Sequence, residues 1–169
     1  MTNYEETLNK FIQYVVSQAK RNLTTSGKNA SKKLYNSIKG ETKQFPNSIG
    51  IYFDMETYGF FQDQGVSGIK KKYNTPFSYK TKMPPPSAFD KWTIKRGIAP
   101  RNTKGQFQTR KGLNFAIARS IFEKGIKPSL FFTKPFEAAF KKFPDELIDS
   151  YGLDVVDLFD SIMKPNLKK

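Results

Sequence analysis

The feature that most constrains the fold is an apolar stripe near the N-terminus. Its residues recur at the spacing i, i+3, i+4, i+7, which places them on one face of an α-helix. They are Leu8, Phe11, Ile12, Val15, Val16, Ala19 and Leu23. The pattern predicts an amphipathic helix over about residues 4–23, and the apolar face of such a helix has to pack against a second element.

After the first helix we expect a short second helix at Leu34 to Ile38. Beyond it, apolar residues recur with a period of two. Apolar residues alternate with polar or small ones across a turn expected at Pro46-Asn47, which is typical of a β-hairpin with one buried face. The alternating residues are Ile49, Ile51, Phe53 and Met55. We expect Asp54 to cap a short helix that begins near Tyr58 and that Gly65 ends.

Helical spacing returns in the last third of the chain. The sequence predicts a helix at about 112–124, a short strand at Ser129–Phe132, a helix capped by Thr133, an acidic helix at 144–163 and a flexible tail at 164–169. The expected fold class is α+β: a small antiparallel sheet packed against the N-terminal helix, with long loops and additional C-terminal helices. A length of 169 residues favours a single domain, 1–169.

Residues 64–111 lack this order, because Gly, Pro, Lys and Asn accumulate there. We predict an extended basic loop region with one short helix, capped by Ser87 and ended at Gly97. Proteolysis is expected within Gly65–Arg110 because the segment shows almost no core periodicity. Aromatic residues at helix ends are assigned to the core because such residues are usually buried. They are Tyr58, Phe60, Phe61, Phe131, Phe132 and Phe136.

Charge is divided between two stretches. Residues 64–134 hold 16 Lys and Arg and two acids, whereas 144–163 hold six acids and no Lys or Arg, in a chain of net charge +14. Either both are solvated faces, or the two stretches attract each other. The attraction would act within one fold or between neighbours in a ring, where the acidic helix of one subunit meets the basic loops of the next. The predicted contacts to a partner or to DNA are Lys70, Lys71, Lys72, Arg96, Arg101, Lys104 and Arg110. The predicted subunit-contact acidic face is Asp145, Asp149, Asp154 and Asp157.

Two missing residue types narrow the chemistry. The chain has no cysteine and no histidine, which excludes disulfides, thiolate nucleophiles, ordinary zinc sites and Ser-His-Asp triads. We therefore predict no enzyme activity, no catalytic residues, no cofactor and no bound metal. No apolar run approaches the roughly 20 residues that span a bilayer, so no membrane association is expected.

Two motifs invite an enzymatic interpretation. Glu41-Thr42-Lys43 resembles the Glu-x-Lys of metal-dependent nucleases, with Asp54 and Glu56 as further carboxylates, but no Asp precedes it in the chain. Ser26-Gly27-Lys28-Asn29 lacks the upstream glycine and the Ser or Thr that a phosphate-binding loop needs. The nuclease hypothesis therefore rests on four residues alone.

Lysines and aromatics alternate from Lys70 to Lys80. Such a stretch is able to place lysines on phosphates and tyrosines on base faces. No base-reading motif accompanies it. The alternative function is therefore that of a free, sequence-independent nucleic-acid-binding protein.

The order of three short motifs suggests a family. They are Leu34 to Ile38, Tyr58 to Gly65 and Phe131 to Ala139, spread over about residues 5–140. Together they resemble the tail-completion, or head–tail joining, neck proteins of tailed bacteriophages. Ala118 to Ile126 is similar to versions from phages of gut bacteria. The chain departs from the family in Phe131-Phe132, where Arg-Pro-Phe-Leu is usual, and in the acidic helix beyond residue 144.

The resemblance implies a structural virion protein. Its subunits would form a homo-oligomeric ring in the phage neck, between portal and tail, and join head to tail around the DNA channel. The implied partners are portal and tail proteins, with possible non-specific contact to genomic DNA. The protein would be made in the host bacterial cytoplasm and end in the virion. The resemblance implies no catalytic residues.

Overall fold

The structure is a computed structural model that describes residues 2–28 and 31–163, with the backbone alone for 159–163. Its fold is α+β, as predicted: a long N-terminal helix, a small antiparallel hairpin and further C-terminal helices. The elements are α1 (Asn3–Thr25), α2 (Lys33–Ser37), β1 (Lys39–Phe45), β2 (Ser48–Asp54), α3 (Tyr58–Gln64), β3 (Val66–Ser67), a 3₁₀ helix (Pro86–Phe89), α4 (Asp90–Lys95), α5 (Arg110–Lys124), β4 (Gly125–Ile126), α6 (Thr133–Phe140) and α7 (Phe143–Met163). The predicted tail at 164–169 lies outside the described residues.

The described chain divides into two compact units. Unit 1 contains α1 up to Asn22, the β1–β2 hairpin, and the chain from Phe131 onward. Unit 2 contains Leu23–Ser37 and Met55–Leu130. The single-domain prediction concerns whether the whole chain folds cooperatively, and it stays a prediction.

The core of unit 1 forms around the predicted stripe of α1. Leu8, Phe11, Ile12 and Val15 are buried together with Phe143 of α7. The rings of Phe11 and Phe143 lie 4.3 Å apart between centroids. Burial of one such side chain contributes about 1.5–3 kcal/mol, so this cluster is the main source of stability in unit 1.

The hairpin packs on α1 through part of one face. Strands β1 and β2 pair in register from Lys39↔Asp54 to Phe45↔Ser48, with the turn at Pro46-Asn47 as predicted. Ile51 and Phe53 are half-buried against the core, whereas Ile49 near the turn is exposed. The hairpin therefore covers α1 at the open end of its strands and leaves the turn end uncovered.

Unit 2 is organised by the buried Ser67 rather than by apolar periodicity. Strand β3 pairs with β4 over two residues. The Ser67 amide donates to the carbonyl of Phe77 (2.8 Å), and the Ser67 carbonyl accepts from the Tyr79 amide (2.9 Å). The Ser67 hydroxyl accepts from the Tyr73 amide (3.0 Å). The stretch 73–79 of the predicted 64–111 loop region is thus held by hydrogen bonds to one serine.

A buried polar contact joins α4 to α5. Thr93 and Asn114 are both almost inaccessible to solvent, and the Thr93 hydroxyl lies 3.4 Å from the Asn114 side-chain oxygen. The Asn114 amide also donates to the Asp90 carboxylate. Each of these buried polar groups has a hydrogen-bond partner, as buried polar groups usually do. Polar residues can therefore occupy interior positions where a sequence pattern predicts apolar residues.

Four local predictions are wrong. Thr133 is the first residue of α6 and Phe132 precedes the helix, so Thr133 does not cap it. Asp54 is the last residue of β2 and pairs with Lys39, while Thr57 precedes α3. Ser87 lies inside the 3₁₀ helix, so it does not cap α4. Ser129–Phe132 forms no strand.

The last of these has a backbone cause. Leu130 has a positive φ of 50°, which interrupts an extended conformation. The amides of Ser129 and Leu130 donate to the Asp63 carbonyl at the end of α3 (3.0 and 2.9 Å). The segment therefore satisfies a helix terminus instead of pairing as a strand.

Candidate interaction surfaces

The net charge of the chain lies in unit 2. Residues 23–37 and 55–130 hold 18 Lys and Arg against four Asp and Glu, whereas the rest of the chain holds 11 of each. Unit 2 thus carries the whole net charge of +14, as residues 64–134 do along the sequence. A surface of one sign attracts a partner of the other sign at a distance, with a strength that falls as ionic strength rises.

The three predicted contacts Lys70, Lys71 and Lys72 lie on one exposed turn at the C-terminal end of α5. The Lys70 amide donates to the Glu123 carbonyl (2.9 Å), and the Lys70 ammonium pairs with the Glu123 carboxylate (2.9 Å). The hydrogen bond from Lys70, followed by one from Arg119, lowers the pKa of Glu123. The Lys71 ammonium lies 5.5 Å from the Tyr73 ring centroid. This turn is held in place by α5, so it presents its cations from a fixed position.

The predicted contact Arg96 is engaged inside unit 2. Its guanidinium donates to the Gly27 carbonyl and lies 6.0 Å from the Trp92 ring centroid. Such a planar cation over an indole gains cation–π attraction. Arg96 therefore has a structural contact besides any contact it makes to a partner.

Two further predicted contacts, Arg101 and Lys104, lie on a small exposed loop. Arg101 forms an isolated bridge with Phe107, and its guanidinium lies 4.3 Å from the Phe107 ring centroid. The Asn102 side-chain oxygen accepts from the Lys104 amide (3.0 Å) and closes the turn. The last predicted contact, Arg110, is the exposed first residue of α5. The seven predicted cations are thus distributed over separate parts of unit 2 and do not form one cluster.

The four predicted acidic contacts of α7 differ from one another. Asp145, Asp149 and Asp157 are exposed and make no ion pair within the part of the chain that the structure describes. Asp154 instead turns toward α1, and its two oxygens accept from the amides of Asn3 (2.8 Å) and Tyr4 (2.9 Å). The first three remain available to a partner, whereas Asp154 caps α1.

The pKa of Asp154 reflects this position. Partial burial by itself raises the pKa, but the hydrogen bonds from the Tyr4 and Asn3 amides outweigh it and lower the pKa below its ordinary value. Free amides at a helix N-terminus favour a negative charge for the same reason.

The side of α7 that faces away from the core of unit 1 is apolar. The buried or half-buried residues Phe143, Leu147, Ser150 and Asp154 mark its inner side. Exposed apolar residues occupy another side at the helical spacing i, i+3, i+7, i+8. They are Ile148, Tyr151, Val155 and Val156, which we call the outer face of α7. The helical spacing of these apolar residues is present in the sequence, but it does not show that they are exposed rather than buried.

Unit 2 contains an apolar groove of about 610 Å³. Phe61 of α3 and Phe77 both line it, with their rings edge to face at 4.7 Å between centroids. The remaining lining residues are Tyr58, Gln62, Val66, Pro76, Ser78, Tyr79, Lys80 and Ile126. Burial raises the pKa of the Tyr79 hydroxyl.

The groove changes the assignment of several aromatics. Phe131 is buried as predicted, with Phe132 half-buried and in the core of unit 1. The prediction is wrong for Tyr58, Phe60 and Phe61, which are exposed. Tyr58 and Phe61 line the groove.

The two glutamates of the nuclease hypothesis are engaged in ion pairs with lysines. Glu41 pairs with Lys43 along β1 (2.9 Å), and Glu56 pairs with Lys33 of α2 (3.0 Å). Among the residues that the structure describes, no three acidic, histidine or cysteine side chains come together as metal ligands would. The nuclease hypothesis gains no support from this arrangement.

None of the helices in the described ranges has the length and apolar character needed to cross a membrane.

Comparison with known proteins adds no relative. No protein-family model, no curated protein and no solved structure matches this chain.

Proposed function

We propose that the chain is a structural subunit of a phage virion, which assembles with its own copies into a ring in the neck between portal and tail. The ring joins head to tail around the DNA channel, and its function is geometric rather than catalytic. The proposal starts from the order of the three neck-protein motifs in the sequence.

One structural observation carries the proposal further. The chain has two surfaces of opposite character that are not self-complementary: the acidic and apolar α7 in unit 1, and the strongly basic unit 2. Two different surfaces that fit each other generate a head-to-tail contact between identical subunits, and such contacts close into rings when the rotation allows. A soluble monomer gains nothing from an exposed apolar helix face, whereas a ring subunit buries it.

Proteomics of purified phage particles tests the proposal directly. A neck subunit is expected in every particle at a fixed and small copy number, as closed symmetry requires. Mass photometry of the purified protein, alone and with extracted portal protein, is expected to detect rings or a complex. The absence of the chain from mature particles would contradict the proposal.

The exposed Lys70–Lys72 turn favours a second candidate, sequence-independent binding to the phosphate backbone of DNA. Fluorescence anisotropy with short duplexes at increasing salt measures it, because each phosphate contact contributes about 0.9 to the slope of log K against log salt. Replacing Lys71 and Lys72 by Gln is expected to reduce the slope. The matched control replaces Lys141 and Lys142, an adjacent exposed pair in unit 1, and makes the same change in net charge. Equal slopes for both double variants would contradict a specific role of this turn.

A further inference from the structure

The outer face of α7 has the pattern of a helix that docks into a groove. Ile148, Tyr151 and Val155 follow one another at i, i+3 and i+7, the spacing of the anchors that helices place into apolar grooves. Ile148 is 69% exposed, so most of this anchor is in contact with water. Gly152 lies on the same side, and a Cβ added there would meet no atom within 4 Å. Tyr151 also lies edge to face with the Tyr4 ring of α1, at 6.4 Å between centroids, yet its side chain stays exposed. The outer face is therefore largely accessible to a partner.

The groove of unit 2 is of the matching kind. Its lining combines aromatic rings with the aliphatic side chains of Val66 and Ile126, and its volume of about 610 Å³ lies within the usual range of binding pockets. Its shape is fixed by the backbone, because the wall at Phe77–Tyr79 is hydrogen-bonded to Ser67 on both sides. A preformed groove binds a helix without first having to order its own walls.

Charge decides which helix fits. Three exposed lysines lie in the groove lining or next to it along the chain. Lys80 lines the groove, Lys82 lies two residues further on, and Lys127 follows the lining residue Ile126. Beside the outer face of α7 lie the exposed acids Asp145 and Asp149, and 143–163 contain no Lys or Arg. An apolar face edged by acids complements an apolar groove edged by lysines.

We propose that the outer face of α7 in one copy docks into the unit 2 groove of a second copy. This inference rests on the proposed function and names the contact that builds the ring. The contact is head-to-tail, since it joins unit 1 of one subunit to unit 2 of the next, so every subunit in the ring uses both surfaces. The apolar anchors supply affinity, and the charges set orientation and the rate of encounter.

Disulfide trapping between two full-length variants tests the contact, because the chain contains no cysteine of its own. One variant carries Gly152→Cys, where the added side chain has open space. The other carries Ser78→Cys, a nearly isosteric change in the groove lining. On mixing and mild oxidation, the mixed dimer is expected to form at least tenfold faster than with the control variant Thr103→Cys, whose cysteine lies on an exposed loop of unit 2 outside the groove. Equal rates for the two partners, or no mixed dimer, would overturn the docking.

Sedimentation of a second pair of variants gives an independent measurement. Ile148→Glu introduces a charge into the outer face and is expected to weaken self-association at least tenfold. Ile94→Glu is the matched control, since Ile94 is 60% exposed and lies outside the groove. Circular dichroism checks that both variants fold. Equal weakening, or none, would overturn the docking.

The two proposals fail in different ways. If the protein assembles but Gly152→Cys does not prefer Ser78→Cys, only the docking is wrong and the ring is built by another contact. If the chain stays monomeric at every concentration, the docking is wrong. If the chain is also absent from purified particles, the proposed function is wrong too.

Discussion

Gly125 ends α5 at a position that no larger residue fits. Its φ is +74°, and an added Cβ would collide with the Val66 carbonyl and come within 2.5 Å of the Gly68 amide nitrogen. We expect Gly125→Ala to lower the free energy of unfolding by roughly 2 kcal/mol or more, because it combines an unfavourable φ with a backbone clash. Urea denaturation measures this.

Gly97→Ala is the control for that substitution. Gly97 has a similar φ of +62°, but a Cβ there would meet nothing within 4 Å. Gly97→Ala should lower the free energy of unfolding by only about 1 kcal/mol, the cost of placing a residue with a Cβ at positive φ. Equal losses at Gly97 and Gly125 would contradict a packing role for Gly125 between β3 and β4.

Asp154 gives the stability of unit 1 a dependence on pH. Its pKa is lower in the folded chain than in the unfolded chain, so the unfolded chain binds more protons as the pH falls through this interval. The contribution of Asp154 is therefore present above its unfolded-state pKa and is lost as the pH falls through the folded-state pKa. We expect Asp154→Asn to lower the urea midpoint near neutral pH, and the difference from the unchanged chain to shrink in acid.

Asp157→Asn is the control for this pH dependence. Asp157 lies on the same helix and is exposed, without a hydrogen bond within the described residues. Its substitution should leave the midpoint nearly unchanged across the same range, from about pH 7 to about pH 2. A loss in Asp154→Asn that stays constant in acid would contradict a charged cap on α1.

Among the helices and strands, the sequence predicted the elements that are long enough for an apolar periodicity to appear. The stripe of α1 and the alternation of β2 span several residues each, and both elements are confirmed. Strands β3 and β4 have two residues each, which is too short for any periodicity to appear. In α5 the buried residues are Asn114 and Ala118, and Asn114 is buried because it finds polar partners on α4. A polar contact between distant residues leaves no apolar signal in the sequence.

The 64–111 segment separates into parts with different local stability. Gly65, Val66, Ser67 and Gly68 are buried, whereas the loop 103–107 is exposed throughout. We expect trypsin to cut the free protein after Lys104 about tenfold faster than after Lys70, because cleavage needs local opening and Lys70 is hydrogen-bonded to the end of α5. Mass spectrometry of early fragments identifies the site. First cuts at Lys70–Lys72 would contradict this order.

At the scale of the whole molecule, the candidate surfaces could be predicted in part. Charges are visible in any sequence, so the basic and acidic stretches were found without a structure. The groove was not found, because its residues are far apart along the chain, from Phe61 to Ile126. The sequence pattern also cannot distinguish a buried aromatic from one that lines an open groove, and Phe61 was assigned to the core for that reason.

The division into two units raises the question of cooperative unfolding. Neither unit is a continuous piece of chain: unit 1 is built from three segments and unit 2 from two, and α1 contributes residues to both. The segments of each unit are connected in sequence through residues of the other unit, so neither unit is a separate stretch of chain that could fold by itself. We therefore expect a single cooperative transition, as the single-domain prediction requires.

Trp92 is the only tryptophan and lies in unit 2, so its fluorescence reports on that unit, while circular dichroism reports on helices of both. Coincident transitions would agree with one domain, and a fluorescence transition separated from the loss of helix would mean that the units unfold independently.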